Sequence, residues 1–275
     1  MAATTEQEKE GSPVAKVPRL DMKQAFRINP ILHYDIERIE TPLEQFYVVE
    51  LQNKKDIGKI LTFAPEIDTA FNHLKRVDKT GRVLIQSAES RLENDVRESL
   101  LSKSEGSRIE VASVPKLKPI TRRQFDWAKQ YWSTSFHPNK ETEELLDGGY
   151  FCYEKSNYVR KWINVANDAG CVVVQNGQEL ARGSQGTKLL SHPVMNMVEM
   201  LAKMEREQND YLATGCDVFL RKEPCAMCSM ALVHSRAHQV FFIEEQPRGT
   251  LAKGHWQLHL EPSINHHYKV FQVEL

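Results

Sequence analysis

The feature that most constrains this chain is an alternation in its last third, where β-rich and helical segments follow one another through short connections. WINVANDA (162–169) is helical, and CVVVQNGQELAR (171–182) places two β-rich arms around Asn176-Gly177, the strongest short hairpin signal. An apolar helical stretch (193–204), a strand CDVFL (216–220), a helix CAMCSMALVHS (225–235) and a strand QVFFI (239–243) come after it. Strands alternating with helices need a sheet covered on both faces. A three-layer α/β/α unit is therefore expected over residues 162–275.

The preceding residues divide by composition. Residues 1–29 are polar, with Gly11, Ser12 and Pro13, and read as a disordered tail. From 30 to 115 three strands are expected (45–52, 82–88, 108–114), with helical spacing between them; Leu92, Val96, Leu100 and Leu101 share one helical face. That order suggests a small two-layer α+β domain, with a ferredoxin-like arrangement as one form of it. Residues 116–161 read as a basic and aromatic linker helix followed by a charged loop (138–161) with a Gly-Gly break.

Charge sets limits on partners. The whole chain of 275 residues carries a net charge of −1, and residues 31–115 hold twelve Lys/Arg against fifteen Asp/Glu, so an electrostatic case for nucleic acid must be local. Two clusters qualify: Lys75, Arg76 and Lys79, and then Lys116, Lys118, Arg122 and Arg123. Trp127, Tyr131 and Trp132 follow the second and fit either stacking on bases or packing on a core. No apolar run of 18 residues occurs, so no membrane span is expected. The N-terminus lacks an apolar leader core, and the five cysteines form no regular framework. An intracellular chain, in nucleus and cytoplasm, is expected.

Three residues carry the chemistry. His192 precedes Pro193, which suits a helix's first position, and Cys225 and Cys228 sit at i and i+3, on one side of another helix's first turn. Thiolate and imidazole suit Zn²⁺ in tetrahedral array, and a helix N-terminus favours the thiolate form. Zinc held by His192, Cys225 and Cys228 is therefore expected.

The order H-P-V, strand, E-P-C-A-M-C matches the H-x-E…P-C-x-x-C pattern of zinc deaminases except at one letter, Val194. The C-terminal segment thus resembles the cytidine-deaminase-like fold, and more narrowly the tRNA adenosine deaminases. TRRQFDWAKQYWSTSFHPN (121–139), VHSRAHQVFF (233–242) and QLHLEPSINHHYKVF (257–271) are similar to the non-catalytic subunits of the heterodimeric eukaryotic members. These make inosine at the wobble position of the anticodon. The resemblance implies a catalytic partner subunit carrying H-A-E, and the tRNA anticodon arm as substrate. In active members the glutamate two residues after the histidine moves the protons of the reaction. Valine can do neither half of that exchange. Glu223 and Glu199 are not expected to stand in; a water is the first expectation for the fourth zinc position, with the Leu275 carboxylate or Glu274 as the alternative that plugs it. Two other readings stay open at this point: an active nucleoside deaminase with an unusual acid, and a zinc-stabilised RNA-binding module without an enzymatic partner.

Overall fold

The computed structural model describes residues 26–204 and 212–275. It begins with a strand β1 (Arg27–Pro30), where the sequence reading placed the end of a disordered tail. That boundary is corrected. The backbone of β1 pairs with β9 along the sheet edge, and Phe26 and Ile28 pack against the sheet's core. The remainder of the expected tail, residues 1–25, lies outside the described residues. A single turn of helix, α1 (Tyr34–Glu37), follows.

The N-terminal unit consists of β2 (Leu43–Glu50), α2 (Ile57–Phe63), β3 (Val83–Ser87), α3 (Asn94–Ser102) and β4 (Arg108–Pro115). The β-α-β-α-β order holds, but the sheet order is β3-β2-β4 with both pairings antiparallel. The ferredoxin-like arrangement is corrected, since that fold has β-α-β-β-α-β order and this sheet holds three strands among the described residues. β2 takes the centre because it is apolar on both faces. Phe46 and Val48 meet Leu74, Leu84 and Trp132 on one side, while Val49 meets Ile60 and Leu100 on the other.

Residues 116–161 contain the expected helix, but it packs on the N-terminal unit rather than serving as a linker, and 138–161 is not a loop. Helix α4 (Arg122–Ala128) has a full capping box from Thr121 and Gln124. Trp132 is buried in the N-terminal core and its Nε1 donates to the Lys75 carbonyl at 2.8 Å. The expected charged loop contains α5 (Lys140–Asp147), started by the Asn139 side chain and ended by Gly148 at φ +77°. It also contains the first half of α6 (Tyr153–Ala169).

The C-terminal unit adds β5 (Cys171–Gln175), β6 (Gln178–Gly183), α7 (Pro193–Ala202), β7 (Asp217–Lys222), α8 (Ala226–His234), β8 (Gln239–Glu244) and β9 (Lys269–Glu274). Its six-stranded sheet runs β1-β9-β8-β7-β5-β6. β7, β8 and β9 are parallel, and the hairpin β5–β6 and the edge strand β1 run antiparallel to their neighbours. Asn176 and Gly177 both take positive φ, 51° and 77°, as a two-residue turn of matching twist requires.

Strand alternation divides the residues between two cores. Cys171, Val173, Val218, Leu220, Val240 and Phe242 face α7 and α8, and Val172, Val174, Phe219, Phe241 and Phe271 face α6. Under α6 the rings of Phe219, Phe241 and Phe271 stack across three strands at 4.8 and 4.9 Å, in line with the Cα register. A slip of one residue would drive the whole ladder into the face packed on α7 and α8, so it pins where β7 and β8 end. The metal-type residues lie just past the end of β7. The three-layer α/β/α expectation holds.

Candidate metal centre

His192 is the N-cap of α7 and Cys225 the N-cap of α8. Two local devices bring α7 in. Val194, Met197 and Leu201 repeat at i, i+3 and i+7 and sink into the core. Gly183 at the end of β6 lets the helix start touch the sheet, because a Cβ there would lie 2.0 Å from the Pro193 carbonyl oxygen. Leu190 takes φ +62° just before the ligand, a left-handed conformation costly for a branched side chain.

The three sequence-predicted ligands converge. Cys225 Sγ lies 3.5 Å and Cys228 Sγ 3.4 Å from His192 Nδ1, and all three donor atoms fall within 4.8 Å of one another. They line the floor of a cleft of about 600 Å³ between the ends of β7 and α7. Two sulfurs and one imidazole from rigid helix starts fit a tetrahedral ion with three protein donors. Burial and then the adjacent Cys225 sulfur push the Cys228 thiol up to about 12. This reverses the lowering expected from a helix N-terminus. A dication between the sulfurs would offset both causes, so the donor set suits a metal better than a pair of free thiols.

The alternative of Glu274 as fourth ligand is corrected. Among the described residues, no other His, Cys, Asp or Glu atom joins the cluster. Glu274 Oε1 instead accepts from Asn29 Nδ2 at 2.8 Å, where β9 pairs with the edge strand β1, and Leu275 follows it. In sheet order β9 stands two places from β7, whose end carries the cluster. The acid nearest the cluster is Glu223, fully buried, and it is already engaged. Its Oε1 accepts from the backbone N–H of Leu251 at 2.6 Å and of Ala252 at 2.8 Å, and from His255 Nδ1 at 3.0 Å. Glu199 is exposed and paired with Lys203 at 2.6 Å. Val194, 3% exposed, lines the cleft beside His192.

The candidate RNA residues fall on neighbouring segments. His73 Nε2 lies 2.9 Å from the Pro115 carbonyl, and Lys75 N donates to the Ser133 carbonyl, so the two basic segments run side by side. Their side chains are not equivalent. Arg76 donates through both Nη atoms to the Pro65 carbonyl, and Lys116 pairs with Glu44 at 2.8 Å. Lys75, Lys79, Lys118, Arg122 and Arg123 are exposed and make no ion pair among the described residues. Trp132 is core, whereas the half-buried Trp127 and the exposed Tyr131 sit against each other at 4.8 Å.

Sequence reasoning missed the role of Glu223 and of the loop 246–258 that wraps it. The Glu-Pro before Cys225 was the available signal.

The comparisons agree with this geometry. Residues 154–244 match the family described as the cytidine and deoxycytidylate deaminase zinc-binding region. The "tRNA-specific adenosine deaminase" of Aquifex aeolicus is 32% identical over 104 residues, covering 36% of this chain and 67% of that relative. The chain belongs to the tRNA-specific adenosine deaminase family. A rat relative named "Probable inactive tRNA-specific adenosine deaminase-like protein 3" is 29% identical over 210 residues, 58% of this chain and 60% of its own length. The Saccharomyces cerevisiae "tRNA-specific adenosine deaminase subunit TAD3" is 25% identical over 215 residues, 65% of this chain and 66% of its own. The chain thus spans about 60% of the length of the rat relative. No helix among the described residues is long and apolar enough to cross a membrane.

Proposed function

We propose that this chain is the non-catalytic, zinc-holding subunit of a heterodimeric tRNA adenosine deaminase acting on the wobble adenosine of the anticodon. The observation that carries this reading is Val194. It lines the cleft beside His192, at the place where the deaminase pattern has the proton-carrying glutamate. His192, Cys225 and Cys228 would hold the zinc, which when bound supplies Lewis acidity and a fixed point of charge on the cleft floor.

The chain's own residues then lack the second half of the chemistry. Val194 has no atom that takes or gives a proton, Glu223 has its oxygens committed to backbone N–H groups, and Glu199 points to Lys203 in solvent. General acid–base help is worth about 10²–10⁴-fold, and the one further acid lining the cleft among the described residues, Asp168, is solvent-exposed and lies outside the H-x-E pattern. The metal site is then a device for holding two helix starts together. Catalysis belongs to a partner subunit with an intact H-A-E, which pairs through the deaminase folds. The N-terminal unit and the exposed cations Lys75, Lys79, Lys118, Arg122 and Arg123 contribute tRNA contacts. The names of the rat and yeast relatives, one called inactive and one called a subunit, support the same reading. Such a complex works in nucleus and cytoplasm.

The test is co-expression with an H-A-E subunit, followed by assay of inosine in tRNA. The pair is expected to deaminate the wobble adenosine, while this chain alone yields no inosine from tRNA and no product from free nucleosides. Turnover by the purified chain alone would overturn the proposal.

A further inference from the structure

The exchange of glutamate for valine changes the charge of the cleft as well as its chemistry. Two thiolates balance a dication and a neutral imidazole adds nothing, so the group that completes the ion's coordination is decided by the cleft walls. Among the described residues the protein offers three donors, all on the cleft floor. Val194 presents carbon there, where a carboxylate would repel an incoming anion. Glu223 lines the same cleft but its charge is turned inward onto Leu251 N, Ala252 N and His255. The mouth is cationic. Arg221 and Lys222 share Glu244 at 3.2 and 4.0 Å, and Arg248 is exposed with no ion pair among the described residues. Asp168 is the one exposed acid among the lining residues.

The geometry points to a small-oxyanion site in this cleft. A carboxylate or phosphate would give one oxygen to the metal held by His192, Cys225 and Cys228, and leave its remaining charge facing Arg248. The inference rests on the zinc reading above and adds a ligand class to it. About 600 Å³ leaves room for a small organic acid, and Val194 removes the one negative charge that the deaminase pattern would place beside the ion. The cleft then serves as a binding site whose occupancy stiffens α7 and α8 rather than as a site of turnover.

The test uses the full chain loaded with Co²⁺ in place of zinc, whose visible absorption reports a change of ligand. Metal analysis first establishes one cobalt per chain. Acetate and inorganic phosphate are then titrated in separate arms, and the arm that saturates at lower concentration identifies the preferred oxyanion. A saturable spectral change is expected, weakened roughly tenfold by Val194→Glu through like-charge repulsion at short range, and weakened in the same direction by Arg248→Glu. Arg248 is exposed, so its variant keeps the test open if the valine variant fails to fold. One cobalt per chain with a spectrum indifferent to both anions would overturn the anion site and leave the metal reading standing. Absence of cobalt binding would overturn both. A spectral change untouched by Arg248→Glu would also count against the site as drawn.

Discussion

His255 Nδ1 lies 3.0 Å from Glu223 Oε1, and this contact closes the loop 246–258 over the one carboxylate that, among the described residues, is buried in the cleft of the metal-type residues. The acid acts as a structural pin. It organises backbone N–H groups from two successive residues, and Gly249 is a glycine because a Cβ there would fall 1.9 Å from Glu223 Oε2.

Glu223→Ala should therefore cost stability rather than chemistry. It leaves the N–H groups of Leu251 and Ala252 buried without an acceptor, a loss of about 3 kcal/mol. Urea unfolding of the two proteins measures it. A variant within 0.5 kcal/mol of wild type, about the ordinary range for surface changes, would show that the loop is held by other contacts.

Metal removal should act on the same region. One zinc per chain is expected by metal analysis, with chelation or Cys228→Ala lowering the unfolding temperature and breaking pairing with a catalytic subunit. A folded, metal-free protein of unchanged unfolding temperature would remove zinc from the account.

Val194→Glu restores the missing letter but not the enzyme. The site is buried in the same core as Met197 and Leu201, so a carboxyl there should lower stability by about 2 kcal/mol. Inosine assays on the purified single variant, without a partner, should read zero. Efficient deamination by the variant would mean that the rest of the cleft is still an active one.

His259 sets a pH dependence. Burial, and secondarily the nearby His267, push its pKa down to about 4, although its contact with the Ile31 carbonyl works in the other direction. A neutral ring in the folded state and a titrating ring near 6.5 in the unfolded state mean that the unfolded chain binds the extra proton between those values. Stability is full above about pH 6.5 and falls as pH drops through about 4, by about 3 kcal/mol in all. Unfolding free energies at pH 7.5 and 4.5 should differ by less in His259→Gln than in wild type.

Reversing charge at Lys75, Lys79, Lys118, Arg122 and Arg123 should weaken tRNA binding by the assembled pair. Each lost phosphate contact lowers the slope of log affinity against log salt by about 0.7 to 0.9. Arg76 and Lys116 should matter less, since Pro65 and Glu44 already hold them. Unchanged affinity and salt slope would reduce the N-terminal unit to an assembly element. Substitution is a cleaner test than deleting residues 1–115, which would also strip β1 from the deaminase sheet.

The convergence of His192, Cys225 and Cys228 was legible because their residue types, spacing and helix-start positions are all local signals. The Asn176-Gly177 turn was legible for the same reason. What escaped the sequence was tertiary. Four residues at 27–30 carry too little periodicity to read as a strand, and become one because β9 offers an unpaired edge. KETEELLD looked like a loop because its charges hide a short amphipathic helix, though Asn139 and Gly148 were its start and stop signals. Trp132 could not be told from a stacking platform until Phe46 and Leu84 were seen around it. Glu274 looked available only because the sequence does not show that Asn29 takes it.

The pairing of β1 with β9 has a consequence for how this molecule is made. Asn29 and Glu274 are 245 residues apart, so one rim of the deaminase sheet is translated early and waits for a partner that leaves the ribosome late. The N-terminal unit is thus threaded into the middle of another domain's construction, fastened at both ends before that domain can finish. A nascent chain stalled short of β9 would leave β1 without its neighbour and the edge of β8 bare, open to strands from other chains. Early capture by a partner subunit or a chaperone would protect it through that interval.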